Sequence, residues 1–144
     1  MRRTHAKMPL TRQEEAARDY LIDARLSFES HHVFELDGSS SQKGISVDFL
    51  VFTGSGVAIE CTVCGRKKGS ALSEVRRRSA FMDYRFGLLK GSFPRLTCGA
   101  LVEAPNEDQD HLSQELIPIL RRSDFIASSI EELGRGLSSL GGKR

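Results

Sequence analysis

The chain has 144 residues, a length suited to one domain around one core, and its 39% hydrophobic and 28% charged content excludes a disordered or fibrous protein. No apolar run approaches the ~20 residues needed to span a bilayer. The basic opening MRRTHAKMPL lacks the apolar segment of a secretion signal, so a cytoplasmic protein without a membrane attachment is expected.

The elements follow in chain order. Thr11 to about Ser30 reads as a helix, because Leu10, Ala17, Tyr20, Leu21, Ala24 and Phe28 recur at three- and four-residue spacing. Thr11-Arg12-Gln13-Glu14 has the S/T-x-x-E form of a capping box. HHVFELDG is a short strand closed by Asp37-Gly38, and SSSQKG is a loop. Residues 45–52 and 57–64 are two strands joined by Thr53-Gly54-Ser55-Gly56, where glycine supplies the positive φ of a hairpin turn. After the loop GRKKGS, a helix from about Ser70 to Lys90 carries Ala71, Val75, Met82, Phe86 and Leu89 on one face. Leu96 to Val102 is a strand, and a third helix at 109–121 contains Pro118, which should kink or end it. Asp124 to Ala127 is a last short strand, and Ser129-x-x-Glu132 is a second capping box that opens a helix toward Leu140.

This order, α-β-β-β-α-β-α-β-α, predicts a single α/β domain over 1–144 with a mixed central sheet flanked by helices. Its core spans about 10–128, between a basic arm at 1–9 and a C-terminal helix and tail at 129–144.

The two hairpin strands each carry an acid in an otherwise apolar run. Side chains alternate along a strand, so Asp48 shares a face with Ser46, Leu50 and Phe52, against Val47, Phe49 and Val51 on the other. Glu60 likewise shares a face with Ala58, Thr62 and Cys64, opposite Val57, Ile59, Cys61 and Val63. Pairing about the Thr53–Gly56 turn makes the two carboxylates near cross-strand neighbours on one face. Adjacent buried carboxylates repel, and a hard divalent cation such as Mg²⁺ relieves that cost while keeping waters for phosphodiester hydrolysis.

A helix, then "VD" in one strand, a hairpin, "IECT" in the next strand and a basic helix resemble the PD-(D/E)XK nuclease superfamily over roughly residues 10 to 104. The resemblance implies a restriction-endonuclease-like core and a Mg²⁺-dependent (or Mn²⁺-dependent) nuclease. It makes Asp48 and Glu60 the metal-binding acids, and the Cys61 carbonyl a further ligand. Val47 stands in the motif's proline position. Thr62 stands in the lysine position, where the family places a charge that helps position water and stabilise the phosphate. Arg78, in phase with the apolar stripe of the second helix, and Lys68 are the favoured replacements; without one, the chain is a catalytically inactive relative. Several branches of the superfamily carry an acid on the first helix; Glu14 fits, with Glu15 as the fallback, although the capping box alone also explains Glu14. Small resolvases of this superfamily suggest a homodimer acting on DNA.

Net charge is only +2, yet bases cluster at Arg66, Lys67 and Lys68 and at Arg76, Arg77 and Arg78. The first cluster, with Arg76 and Arg77, is the expected contact for backbone phosphates, although charge runs are as often solvated faces. Cys61-Thr62-Val63-Cys64 has the C-x-x-C form, but on a strand its thiols diverge, so buried structural cysteines are expected. The histidine pair His31-His32 points to no one role beyond a phosphate contact or a helix cap. Tyr84 and Arg85, within FMDYRF, are either helix packing or a nucleic-acid contact. No nucleophile elbow or phosphate-cradling loop is present.

Overall fold

The computed structural model describes residues 10–36, 44–65 and 71–141. Its elements are α1 (Arg12–Asp23), β1 (Phe28–Phe34), β2 (Ile45–Val51), β3 (Val57–Val63), α2 (Ala71–Ser92), β4 (Thr97–Glu103), α3 (Gln109–Ile119), β5 (Phe125–Ala127) and α4 (Ile130–Gly141). They form the expected order around a five-stranded mixed sheet, β1-β2-β3-β4-β5. The first three strands are antiparallel neighbours, whereas β3, β4 and β5 run parallel through the crossover helices α2 and α3.

Alternation along the strands divides the apolar residues between two cores. Leu50, Ala58, Cys98, Ala100 and Val102 pack with Val75, Met82, Phe86 and Leu89 of α2 and Leu112 and Leu116 of α3. Phe49, Val51, Val57, Ile59 and Leu101 pack with Ala17 and Leu21 of α1 and Leu133 and Leu137 of α4. The middle five residues of β4 are buried, as a parallel strand covered on both faces requires.

Two sequence expectations change. The first helix ends at Asp23, not near Ser30. Arg25 adopts a φ of 61°, its N–H bonds Ile22 O at 2.9 Å, and the Leu26 N–H bonds Leu21 O at 3.0 Å. That is a Schellman ending with Leu21 and Leu26 as its apolar contact. Phe28, which fits the helical spacing, instead opens β1 and packs edge-on against Phe49 at 5.8 Å between centroids.

The second change lies in β2. Ile45 and Val47 join the α2-side core, while Phe49 and Val51 join the α1-side core. The expected face of Val47, Phe49 and Val51 is therefore split, and alternation shifts phase at Asp48. Across the ladder, Ser30 pairs Phe49 and His32 pairs Val47. His31, between them, holds a φ of 54°. A left-handed residue inside a strand turns its side chain out of the regular alternation, and here the break faces Asp48.

At the far edge of the sheet, glycines make room for one ring. A Cβ on Gly99 would collide with Phe125, and one on Gly136 would lie 2.6 Å from the same ring. Gly136→Ala should therefore destabilise the fold by about 1–3 kcal/mol through overpacking. Gly91→Ala, in open space on α2, should be neutral or gain up to about 1 kcal/mol. Urea denaturation of the two variants checks the contrast; equal midpoints would contradict this packing.

Candidate metal and nucleic-acid site

Four consecutive elements, α1, β1, β2 and β3, deliver the site. Glu14 lies in the first turn of α1, where the capping box is complete. Thr11 Oγ1 accepts from the Glu14 N–H, and Glu14 Oε1 accepts from the Thr11 N–H, both at 3.1 Å. The same Oε1 lies 3.7 Å from His31 Nε2. Capping and site roles thus belong to one side chain, while Glu15 is exposed on the other side of the turn. One donor atom each from Glu14, His31 and Asp48 lies within 4.8 Å of the others. Two carboxylates and an imidazole at such spacing form a donor set that fits a divalent ion.

Asp48 Oδ2 accepts from the Cys61 N–H at 2.7 Å. The β2–β3 ladder ends at Phe49–Ile59, so this carboxylate replaces the next backbone bond. In an antiparallel ladder the N–H and C=O of one residue face the same neighbour. The Cys61 carbonyl is thereby directed to the gap that Asp48 occupies. An Asp48 donor atom lies within 4.8 Å of one from Glu14, and Asp48 borders the same cavity as Glu60, whose charge acts on it. The two acids expected to meet across the hairpin do meet.

Glu60 is 8% exposed. Its Oε2 accepts from Arg85 Nε at 2.9 Å and lies 2.9 Å from Nη2 in the ion pair, and Arg85 also donates to the Ser46 carbonyl. Arg85 offsets one of the clustered negative charges, so only part of the repulsion remains. Burial, the Glu60 charge and the nearby Glu14 together raise the Asp48 carboxyl to about 8, against the pull of the Cys61 N–H. Burial also raises Glu60, and Arg85 opposes that rise.

Arg78 Nη1 donates to Thr62 Oγ1 at 3.0 Å, while its Nε pairs with Glu74 at 3.0 Å. Its tip reaches the sheet as its helical phase suggested, although the side chain stays 46% exposed. A cation therefore sits on the Thr62 hydroxyl near the end of β3. Gln13 Nε2 donates to the Thr62 carbonyl and to Glu103, both at 2.9 Å, fixing the end of β3 from the α1 side. A cavity of about 480 Å³ opens over the acids, with Asp48, Glu60, Arg77, Arg78, Phe81 and Arg85 in its wall. A smaller one, of about 230 Å³, adjoins it beside Glu14 and also borders Thr62 and Arg78.

The basic helix divides differently from expectation. Arg77 lines the cavity. Arg76 instead forms a two-pronged pair with Glu115 of α3, at 2.8 and 3.1 Å, because its position on the helix turns it toward that neighbour. Arg66, Lys67 and Lys68 lie outside the described residues. The C-x-x-C thiols diverge as expected, Cys61 packing with the α1-side core and Cys64 with the α2-side core. All three cysteines are free. Burial raises each thiol, Cys98 to about 12, so none has thiolate character at neutral pH.

Sequence reasoning gave His31 and Arg85 no place among the acids. Arg85 carried a usable signal: it lies three residues after Met82 and four before Leu89, in phase with the buried stripe. His31 carried none until the end of α1 and the register of β1 were known.

Comparison with protein-family models, with curated proteins and with solved structures finds no match. Among the described residues, no helix is long and apolar enough to cross a membrane.

The acid cluster has a consequence for stability. Folded Asp48 keeps its proton to about pH 8, whereas the unfolded chain releases it near the ordinary value of 3.8. Between those values the folded state binds more protons, so metal-free stability falls as pH rises through this window. Asp48→Asn should flatten that slope and melt higher than the wild type at pH 8, by roughly 2–4 °C per kcal/mol relieved. The gap should close toward pH 4. Parallel pH profiles of the two melting curves would contradict the raised Asp48 carboxyl.

Proposed function

We propose that the protein is a divalent-metal-dependent nuclease with a restriction-endonuclease-like core, most simply a DNA endonuclease acting as a homodimer. One observation carries this reading. Glu14, His31 and Asp48 come within 4.8 Å of one another from three consecutive elements, Glu60 of the next element acts on Asp48, and the cavity that Asp48 and Glu60 border is also lined by Arg77 and Arg78. The order of helix, three antiparallel strands, helix and parallel strand supports it.

Glu14, His31 and Asp48 are the residues that would hold the ion, with Glu60 and the Cys61 carbonyl beside them. A divalent ion there supplies Lewis-acid polarisation of a phosphoryl oxygen and a more acidic water. The protein's own groups do the rest. Arg77 attracts the backbone phosphate into the cavity. Arg78, held on Thr62, supplies the positive charge that the motif's lysine would bring to the phosphoryl group. His31 broadens metal choice: Mg²⁺ prefers oxygen donors, whereas Mn²⁺ and its heavier neighbours accept an imidazole nitrogen more readily.

The hold of Arg85 on Glu60 favours a second reading. It already neutralises an acid that the motif uses for metal, as suits a catalytically inactive module that binds nucleic acid or a protein partner.

A panel of labelled DNA and RNA structures, incubated with Mg²⁺ or Mn²⁺, separates the two. The nuclease reading expects metal-dependent cleavage that Asp48→Asn abolishes and that Arg78→Ala lowers on the order of 10²–10³-fold while binding survives. Arg77→Ala should weaken binding and reduce the salt slope by about one. Binding without cleavage across the panel would select the inactive module.

Metal choice has its own readout. Calorimetric titration should show His31→Ala losing more affinity for Mn²⁺ than for Mg²⁺, on the order of tenfold. Equal losses for the two ions would remove His31 from the ligand set.

A further inference from the structure

Two aromatic rings beside the acidic cavity have no role in either core. Phe81 and Tyr84 are 61% and 59% exposed. They lie three residues apart on α2 and so share a helix face. Phe81 borders the cavity over Asp48 and Glu60. Tyr84 borders a neighbouring hollow of about 340 Å³, with Leu88 and Arg122 in its wall. The rings thus form a ridge between two concave surfaces.

Arginines flank the ridge. Arg77, one turn before Phe81, faces the cavity and makes no ion pair among the described residues. The Arg85 guanidinium lies 5.5 Å from the centre of the Phe81 ring and is itself anchored on Glu60 and the Ser46 carbonyl. The ring therefore has a cation at its side and its outer surface in water. An aromatic ridge interleaved with arginines complements a ligand that carries both negative charge and flat apolar faces.

Nucleic acid has that chemistry, but a duplex does not display it, because each base face is covered by its neighbours. We propose that the Phe81–Tyr84 ridge is a stacking platform for unpaired bases, so that the site takes single-stranded or locally unpaired nucleic acid in preference to intact duplex. This rests on the nuclease reading of the same cavity and narrows its substrate class. Stacking on aromatic side chains tolerates every base, since each has a π-face. The platform therefore confers a preference for strand state rather than for sequence, while Arg77 and Arg78 supply the salt-dependent share of binding.

The test is fluorescence anisotropy with the full chain, without divalent ion so that cleavage does not intrude. The probes are a labelled 16-nucleotide DNA strand, its duplex, and an abasic strand of the same length and charge. The wild type should bind the single strand more tightly than the duplex and more tightly than the abasic strand. Phe81→Leu and Tyr84→Leu, which keep apolar cover without a π-face, should each weaken single-strand binding roughly 5- to 100-fold. Duplex binding should hold, and Phe81→Trp should restore affinity. Equal binding of abasic and normal strands, or unchanged affinity in both leucine variants, would overturn the platform. If Arg77→Ala still weakens binding in that case, the nucleic-acid site stands and only the platform falls. If no probe binds at all, the nuclease reading falls with it. Leucine variants that shift only the sedimentation coefficient would make the ridge a contact between two copies and overturn the proposal.

Discussion

Asp48 is held in a place where a carboxylate has little reason to be. It is half-buried beside the buried Glu60 and within 4.8 Å of donor atoms of Glu14 and His31, and its firm tie is the N–H of Cys61. Much of the surrounding structure accommodates that arrangement. The β2–β3 ladder gives up a backbone bond to make room for the side chain. Arg85 reaches from α2 to offset one neighbouring charge. The strand pair β1–β2 shifts phase at His31 and Asp48, with an imidazole brought against the acids by a left-handed backbone. Such a concentration of unfavourable local choices is characteristic of functional sites, which persist because the rest of the fold over-determines them.

The architecture was legible because it rests on periodicity. Asp48 and Glu60 could be placed on facing strands because the turn at Thr53–Gly56 fixes the hairpin, and their meeting needs only alternation. Glu14 could be placed because a capping box and a helical stripe agree on its position. Legibility stopped where local rules fail. Phe28 satisfies both the helical spacing and a strand edge, and only the Schellman contact between Leu21 and Leu26 decides between them. Val47 and Phe49 fall in different cores, and the left-handed His31 that stands across from the break cannot be read from ISVDFLVF. His31 had no visible place in the site, since its position opposite Asp48 exists only once β1 has begun at Phe28. Arg76 fits a phosphate contact by charge, but its partner, Glu115, lies in another helix that sequence spacing does not relate to it.

The arginines of α2 show how position on a helix distributes one residue type among unlike tasks. Arg76 joins helix to helix, Arg77 faces the cavity, Arg78 meets Thr62 at the end of a strand, and Arg85 neutralises a buried acid two turns on. Thr62 carries no charge of its own, yet Arg78 of α2 brings a positive charge to its hydroxyl. Spacing along the strand does not reveal this, because the charge comes from a helix and not from β3 itself.

These ties have a geometric consequence for α2 itself. Its apolar stripe sets which side lies on the sheet only loosely, since a stripe tolerates some rolling of the cylinder about its long axis. Arg76 on α3, Arg78 on β3, Arg85 on β2 and β3, and Asp83 bonded to the backbone and guanidinium of Arg122 are polar pins at several azimuths. Together they remove that roll. The direction in which Arg77 and Phe81 project is then set by residues elsewhere along the same helix.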